Sequence, residues 1–443
     1  MNYLRKLKPI LVYSGTRHLT GPKRKYPINT TLADQLPIFE GKTSKRAYKR
    51  VFSWGNAQTG ALGIIKLLEK KTVALKFPKR VGFGEAFEVV TAAAGFGFSA
   101  FGVNSDTDVK LYGCGINTDS QIGYHERRTG HPLGLIFQPR PISLPFTNPR
   151  KTRVLKLAAG RAHLVVLTDE GLYTLGNNAY GQCGRTVIPN EDYIKSNHIN
   201  HIETVHGKRI IDIECGQDHT LALAEDGSVF SCGWGADGQT GLGHFKNTDR
   251  FEKVKGDIVG EKIIKLSSRS DFVLALSDRG EVFGWGNNEY GQISLENDEQ
   301  QLSNPVHLKN ISKLGKMTNV ASGGCSCLVV NQVGEVFSWG YGLLGLGPNV
   351  ALSKEPLKIP ETLFGQNDFS PNTKVVKIKC GLNYFAAITN TGDLYMWGRN
   401  RGCALGFGDE KDQFFPLKVA IGGIVENVFC GLDHTIALCK PFI

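Results

Sequence analysis

Apolar and aromatic positions recur along the chain in short runs, and each run stops at a glycine. The runs read VFSWG (51–55), LYGCG (111–115), LYTLG (172–176), VFSCG (229–233), VFGWG (282–286), VFSWG (336–340) and LYMWG (394–398). Short β-branched and aromatic runs bounded by glycine predict strands. Their terminal glycines lie 53 to 61 residues apart, so the chain is a repeat. Trp54, Trp285, Trp339 and Trp397 stand just before that glycine, and Trp234 stands one place after it. In several copies another glycine follows five residues later, at Gly60, Gly181, Gly238, Gly291 and Gly345.

A second strand precedes the first in each repeat. It reads AGRAHLVVL (159–167), CGQDHTLAL (215–223), CGLNYFAAI (380–388) and CGLDHTIAL (430–438), with weaker copies beginning near Gly95, Arg269 and Gly323. Short turns carrying Gly171, Gly227, Gly280, Gly334 or Gly392 join the two elements into hairpins. Glycine there supplies the positive φ of a tight turn without steric cost. The chain opens on an aromatic-glycine strand with no upstream partner and ends on a CGLDHTIAL strand with no downstream one. Pairing 51–55 with 434–438 completes a seventh blade from both termini and removes the edges of an open array. The expected fold is therefore all-β, a seven-bladed β-propeller over residues 49–443 closed by its N-terminal and C-terminal strands.

Composition fits a turn-dense all-β chain, with 53 glycines, 41% hydrophobic and 21% charged residues. The net charge of +11 changes the picture only once it is located. Residues 1–50 hold twelve Lys/Arg against Asp34 and Glu40, which leaves +1 for the body. A uniformly phosphate-binding propeller is not supported by that balance. Residues 1–48 form a basic extension, and its first 33 residues contain seven basic residues and no acid, with Leu4, Leu7 and Leu11 at helical spacing. That is the character of a mitochondrial transit peptide. The cluster Pro22-Lys23-Arg24-Lys25 also fits a nuclear address, and a plain tail is the third reading. The ten cysteines include no C-x-x-C pair, which points to packing in a reducing compartment. No apolar run reaches the ~18–20 residues that span a bilayer.

The paired motifs C-G-x-x-H-T-x-A-L and V-F-S-W-G-x-x-x-x-G-Q-x-G-x-G resemble the repeat of the regulator of chromosome condensation family. The likeness covers nearly everything after residue 50. Segments such as AGRAHLVVLTDEG (159–171), 215–244, WGYGLLGLGPN (339–349) and IPETLFG (359–365) are similar to a mitochondrial member of that family. The resemblance implies guanine-nucleotide exchange on a mitochondrial GTPase, the dynamin-like one of inner-membrane fusion. The alternative it implies is binding of mitochondrial ribosomal RNA or large-subunit assembly factors. A nuclear exchange factor for Ran, bound to chromatin, is the third. Any attachment to the inner membrane would be peripheral. No cofactor or metal is expected, and no bond-making chemistry.

An exchange factor works by binding the nucleotide-free GTPase more tightly than the loaded one. Acidic or polar groups that compete for the GTPase's phosphate-loop lysine and magnesium site serve this purpose. By resemblance, the G-x-x-H loops supply such residues, here Asp218, His219, Asp433, His434, Arg161 and His163. A histidine recurring at one repeat position is also the kind of residue that holds a scaffold together, and Phe98, Phe272 and Tyr384 replace it in three copies. The insertions 66–80 and 124–153 are basic, with Lys70, Lys71, Lys79, Arg80, Arg127, Arg128, Arg150, Lys151 and Arg153 as candidate RNA contacts. On one rim they would form a stripe; otherwise they are solvated loops. His198, His201 and His206 lack a zinc spacing. Gly41-Lys42-Thr43-Ser44 lacks the first glycine of a P-loop, since position 36 is Leu36. Gly340-Tyr341-Gly342-Leu343-Leu344-Gly345 fits a dinucleotide fingerprint, but Pro348 follows and no helix opens there.

Overall fold

The computed structural model describes residues 49–69, 71–293 and 299–442; the basic extension and its address signals lie outside them. Each repeat forms a four-stranded antiparallel sheet, and the described residues make seven such sheets. Blade 1 comprises Glu88–Ala94, Phe98–Asn104, Leu111–Ile116 and Leu135–Pro141. Blades 2 to 6 repeat this order within 154–202, 210–253, 263–307, 317–359 and 375–418. The CGxxH element is the second strand of each blade and the aromatic-glycine element is the third. The first strands of all seven blades surround one axial cavity.

Blade 7 takes its inner pair, Ile424–Cys430 and His434–Lys440, from the C-terminus. Its outer pair, Arg50–Asn56 and Ala74–Arg80, comes from the N-terminal side. Arg50 pairs with Cys439, and the ladder continues without a register shift to Gly55 opposite His434. The ring is closed by hydrogen bonds between the two ends of the chain.

Adjacent blades pack through their apolar faces. Leu221, Leu223 and Val254 of blade 3 meet Val273, Ala275, Phe283 and Trp285 of blade 4, all of them buried. Three of the four third-strand tryptophans hydrogen-bond back to the preceding blade, while the buried Trp397 Nε1 has no hydrogen-bond partner among the described residues. Trp54 Nε1 donates to the Ala404 carbonyl at 2.7 Å, Trp285 Nε1 to Gln239 at 2.9 Å and Trp339 Nε1 to Gln292 at 2.9 Å. Burying an indole without a partner for its N–H carries a desolvation cost, so these bonds fix three of the blades against their neighbours.

The accepting carbonyl is offered by a tight turn whose central residue is left-handed. That residue is the glycine five places beyond the third strand: Gly60, Gly181, Gly238 and Gly291 have φ of 80°, 86°, 81° and 68°. The structure adds two members that carry side chains, Ser120 at 54° and Cys403 at 64°. A Cβ on Gly238 would lie 2.5 Å from the Leu302 carbonyl oxygen of the next blade.

The turns between second and third strands also match expectation. Gly227, Gly280, Gly334 and Gly392 have φ between 80° and 94°, and each donates its N–H to the carbonyl three residues back.

Replacing Gly238 by Ala imposes both a left-handed alanine and a clash on the neighbouring blade. It is expected to cost about 2–4 kcal/mol, read as a fall in the denaturation midpoint without a change in slope.

Candidate functional site

Two sets of loops emerge on one face of the ring, here the upper face. They join the first strand to the second, and the third to the fourth. The hairpin turns and the blade-to-blade connections emerge on the opposite, lower face.

The residue just before each second strand lies at the upper end of the inner hairpin. Around the ring it is Gly97, Ala162, Asp218, Asp271, Cys325, Asn383 and Asp433. Three carboxylates therefore share one structural position. Asp218 is 8% exposed and receives a two-point contact from Arg161, at 2.7 Å from Nη2 and 3.2 Å from Nε. Burial raises its pKa, and the guanidinium opposes the rise. Asp433 accepts a 2.7 Å hydrogen bond from Asn56 Nδ2, which fastens the N-terminal strand to the C-terminal loop. Its Oδ1 has no hydrogen-bond partner among the described residues.

Asp271 belongs with this pair, and sequence reasoning missed it. Its copy of the motif reads Arg269-Ser270-Asp271-Phe272, with neither the Cys-Gly nor the histidine. Only counting back from the second strand would have found it. Burial, followed by the nearby Asp237 and Asp218, pushes its pKa up to about 6. Gln239 Nε2 donates to it at 3.3 Å.

The histidines do something else. His163, His219 and His434 have no exposed surface. His163 Nε2 meets Thr220 Oγ1 at 3.0 Å, His219 Nε2 meets Ser268 Oγ at 3.1 Å and His434 Nε2 meets Ser99 Oγ at 2.9 Å. Each of these bonds runs to the next blade. Tyr384, at the same position in blade 6, donates its hydroxyl to the His434 carbonyl at 2.7 Å. Ser326 is a fourth replacement beside Phe98, Phe272 and Tyr384. The recurring histidine is thus a strut between blades. As they stand these three residues present nothing to a partner, which leaves the exposed Arg161, the half-buried Asp271, and Asp218 and Asp433, which are themselves only 8% and 4% exposed.

Aromatic residues flank this row on the same face. Tyr180 packs edge-on to Trp234 at 4.5 Å, and Tyr290 stacks on Tyr341 at 4.9 Å. Both pairs join the fourth residue beyond one blade's third-strand glycine to the first residue beyond the next blade's.

The basic insertions do not converge on one rim. Arg127 and Arg128 sit on a small upper-face hairpin, Glu126–Arg128 with His131–Pro132. Lys71 also lies in an upper loop. Lys79 and Arg80 end an outer strand at the lower face, where the 142–153 connection places Arg150, Lys151 and Arg153. Several are already paired: Arg80 with Glu85, Arg150 with Asp108 at 3.9 Å and Arg153 with Asp169 at 3.2 Å. Lys70 lies outside the described residues. His201 stacks on Tyr173 at 4.3 Å and His206 on Phe230 at 5.3 Å. Among the described residues, no group of three or more His, Cys, Asp or Glu could hold a metal ion. No helix among them is long and apolar enough to cross a membrane.

A profile described as an RCC1-like domain matches residues 202–441, and one described as the regulator of chromosome condensation (RCC1) repeat matches 50–101 and 169–223. The human RCC1-like G exchanging factor-like protein is 42% identical over 427 residues, 92% of this chain and 91% of that one. The chain belongs to the regulator of chromosome condensation repeat family. Among solved structures, human WBSCR16 superimposes with a TM-score of 0.84 at 42% identity, covering 89% of this chain and 100% of that one. Yeast RCC1 (Prp20), in its complex with Kap60, gives a TM-score of 0.73 at 20% identity, covering 89% of this chain and 90% of that one, a likeness of fold. Family membership gives the upper-face row a context: propellers of this kind act by binding, and the row is where rigid strands present charged groups on loops.

Burial lowers the pKa of His163 and His219 to about 3 and that of His434 to about 4. The unfolded chain, with histidines near 6.5, therefore takes up protons before the folded one does. The stabilisation is complete above pH 6.5 and is lost as pH falls from there through about 4 for His434 and about 3 for His163 and His219, at up to about 1.4 kcal/mol per pH unit for each histidine. Thermal unfolding followed from pH 7 to 4 should show this loss, and the slope should flatten in His219→Phe, which carries the residue that blade 4 uses at the same position.

Proposed function

We propose that the chain is an exchange factor for a GTPase, acting through the upper face and making or breaking no covalent bond. The observation that carries this reading is the row of three carboxylates, Asp218, Asp271 and Asp433, held at one position of three blades. A GTPase binds its nucleotide through a phosphate-loop lysine and a magnesium ion. Fixed carboxylates beside exposed aromatics offer that lysine an alternative partner once the phosphates leave. Affinity for the empty GTPase then exceeds affinity for the loaded one, and GDP release accelerates by that difference alone. The tyrosines and Trp234 are the residue types that anchor such interfaces. Similarity to a protein named as a G exchanging factor-like protein supports the same reading.

The basic, acid-free leader supports a mitochondrial site of action, with the dynamin-like GTPase of inner-membrane fusion as the partner to try first. Binding of mitochondrial ribosomal RNA or large-subunit assembly factors is the second reading. Its surface is smaller than a continuous stripe would have been, because the basic loops divide between the two faces.

Release of a fluorescent GDP analogue from the candidate GTPase tests the proposal. The chain should accelerate release, and Asp218→Asn and Asp271→Asn should each reduce the acceleration about tenfold or more, equivalent to about 1.4 kcal/mol of differential binding. No acceleration by the folded chain, or full acceleration by both variants, would overturn it. Salt-sensitive RNA crosslinks confined to one face would favour the second reading.

A further inference from the structure

Six blades carry glycine at the first residue after the inner strand: Gly95, Gly160, Gly216, Gly323, Gly381 and Gly431. In blade 4 that residue is Arg269. Its guanidinium crosses the axis to the far side of the ring. Nη1 donates to the Ala159 carbonyl at 3.3 Å, and Nη2 donates to Ala94 at 2.5 Å and to Cys430. These carbonyls end the inner strands of blades 2, 1 and 7. Its Nε is buried with no hydrogen-bond partner.

Arg269 forms one wall of an axial cavity of about 90 Å³, also lined by Lys156, Glu214, Ser267, Ser322 and Lys379. One strand position lower, Lys265 bonds Asn319 rather than an acid. Lys156 absorbs both nearby carboxylates, Asp212 at 2.5 Å and Glu214 at 3.4 Å. Lys379 has no ion pair among the described residues. Arg269, Lys156, Lys265 and Lys379 thus lie close to only two carboxylates, Asp212 and Glu214, in surroundings where unbalanced charge is costly. Lys377, at the register of Lys265 in blade 6, adds a fifth cation, bonded to the Glu426 carbonyl and Asn427 Oδ1. The strain registers at Lys265, whose pKa is lowered to about 7 by burial and then by Lys379.

We propose that this cavity is a binding site for a small multivalent oxyanion of the phosphate class, inorganic phosphate or pyrophosphate. Lys379 supplies charge at the cavity wall, with Lys265 outside the lining one layer below it. Ser267, whose Oγ accepts from the Ser322 N–H at 3.0 Å and the Ser322 hydroxyl at 3.3 Å, keeps its own O–H to donate. Arg269 closes the cavity toward the upper face and adds its own charge. The cavity admits a bare oxyanion and is too small for a nucleoside, so the site is separate from the exchange surface and does not depend on it. A bound anion bridges blades that otherwise repel one another through their lysines, and therefore stabilises the ring.

The test uses the full chain with sodium phosphate, pyrophosphate or sodium chloride at matched ionic strength. Phosphate or pyrophosphate should raise the unfolding temperature by about 2–5 °C over chloride. Calorimetric titration with inorganic phosphate should show one site. Lys379→Met and Arg269→Gly, the latter restoring the residue of the other six blades, should each lose the increment and weaken the titration tenfold or more. Because Arg269→Gly also gives up three carbonyl contacts, titration of the folded Lys379→Met variant is the decisive comparison. No increment over chloride, or an undiminished titration in Lys379→Met, would overturn the proposal.

Discussion

Everything in this fold depends on one ladder, the pairing of Arg50–Asn56 with His434–Lys440. A linear array of four-stranded sheets leaves an open apolar face and an unpaired strand at each end. Here the two ends lack complementary halves of a blade, and joining them hides both. The join is reinforced on all sides: Trp54 reaches the Ala404 carbonyl, Asn56 holds Asp433, and His434 bonds Ser99 of blade 1. The same contacts that close the ring therefore also fix one of the three upper-face carboxylates. Closure and site are mechanically linked in blade 7.

The remaining blades are held by a shared set of inter-blade contacts. A left-handed turn offers a carbonyl, and an indole or hydroxyl of the next blade takes it. Thr220 to Gln182 and Thr435 to Ala404 are the hydroxyl versions, at 2.7 and 2.9 Å. With the neutral histidine struts, these contacts give a rigid frame on which loop residues can vary freely. Asp271 and Arg269 illustrate that freedom within one loop. Blade 4 lacks the Cys-Gly-x-x-His pattern there and carries a carboxylate at the upper face and a guanidinium at the axis.

The fold was legible because its signals are local and repeated. Aromatic strands ending in glycine and hairpin glycines at positive φ state the blade seven times over, and the unequal halves at the ends state the closure. The turn position of Ser120 and Cys403 was not legible, since both adopt by context a conformation that only glycine advertises. The site was half legible. Asp218 and Asp433 stood in strong copies of the motif, whereas Asp271 stood in a weaker copy, where the Phe272 replacement of the histidine drew attention away from the carboxylate before it. The histidines looked equally prominent in sequence, but burial decides between strut and contact, and a single strand pattern does not report it. The basic loops misled for a geometric reason: residues 124–134 and 142–153 are neighbours in sequence, yet a strand carries the chain from one face to the other between them.

Native-state hydrogen exchange of the intact chain tests the closure most directly. Amides of 51–55 and 435–439 should exchange only by the same global opening as the central strands of blades 3 and 4. Exchange of 51–55 at rates near those of an unfolded segment, while blades 3 and 4 stay protected, would show that the ring is not held shut by its own ends.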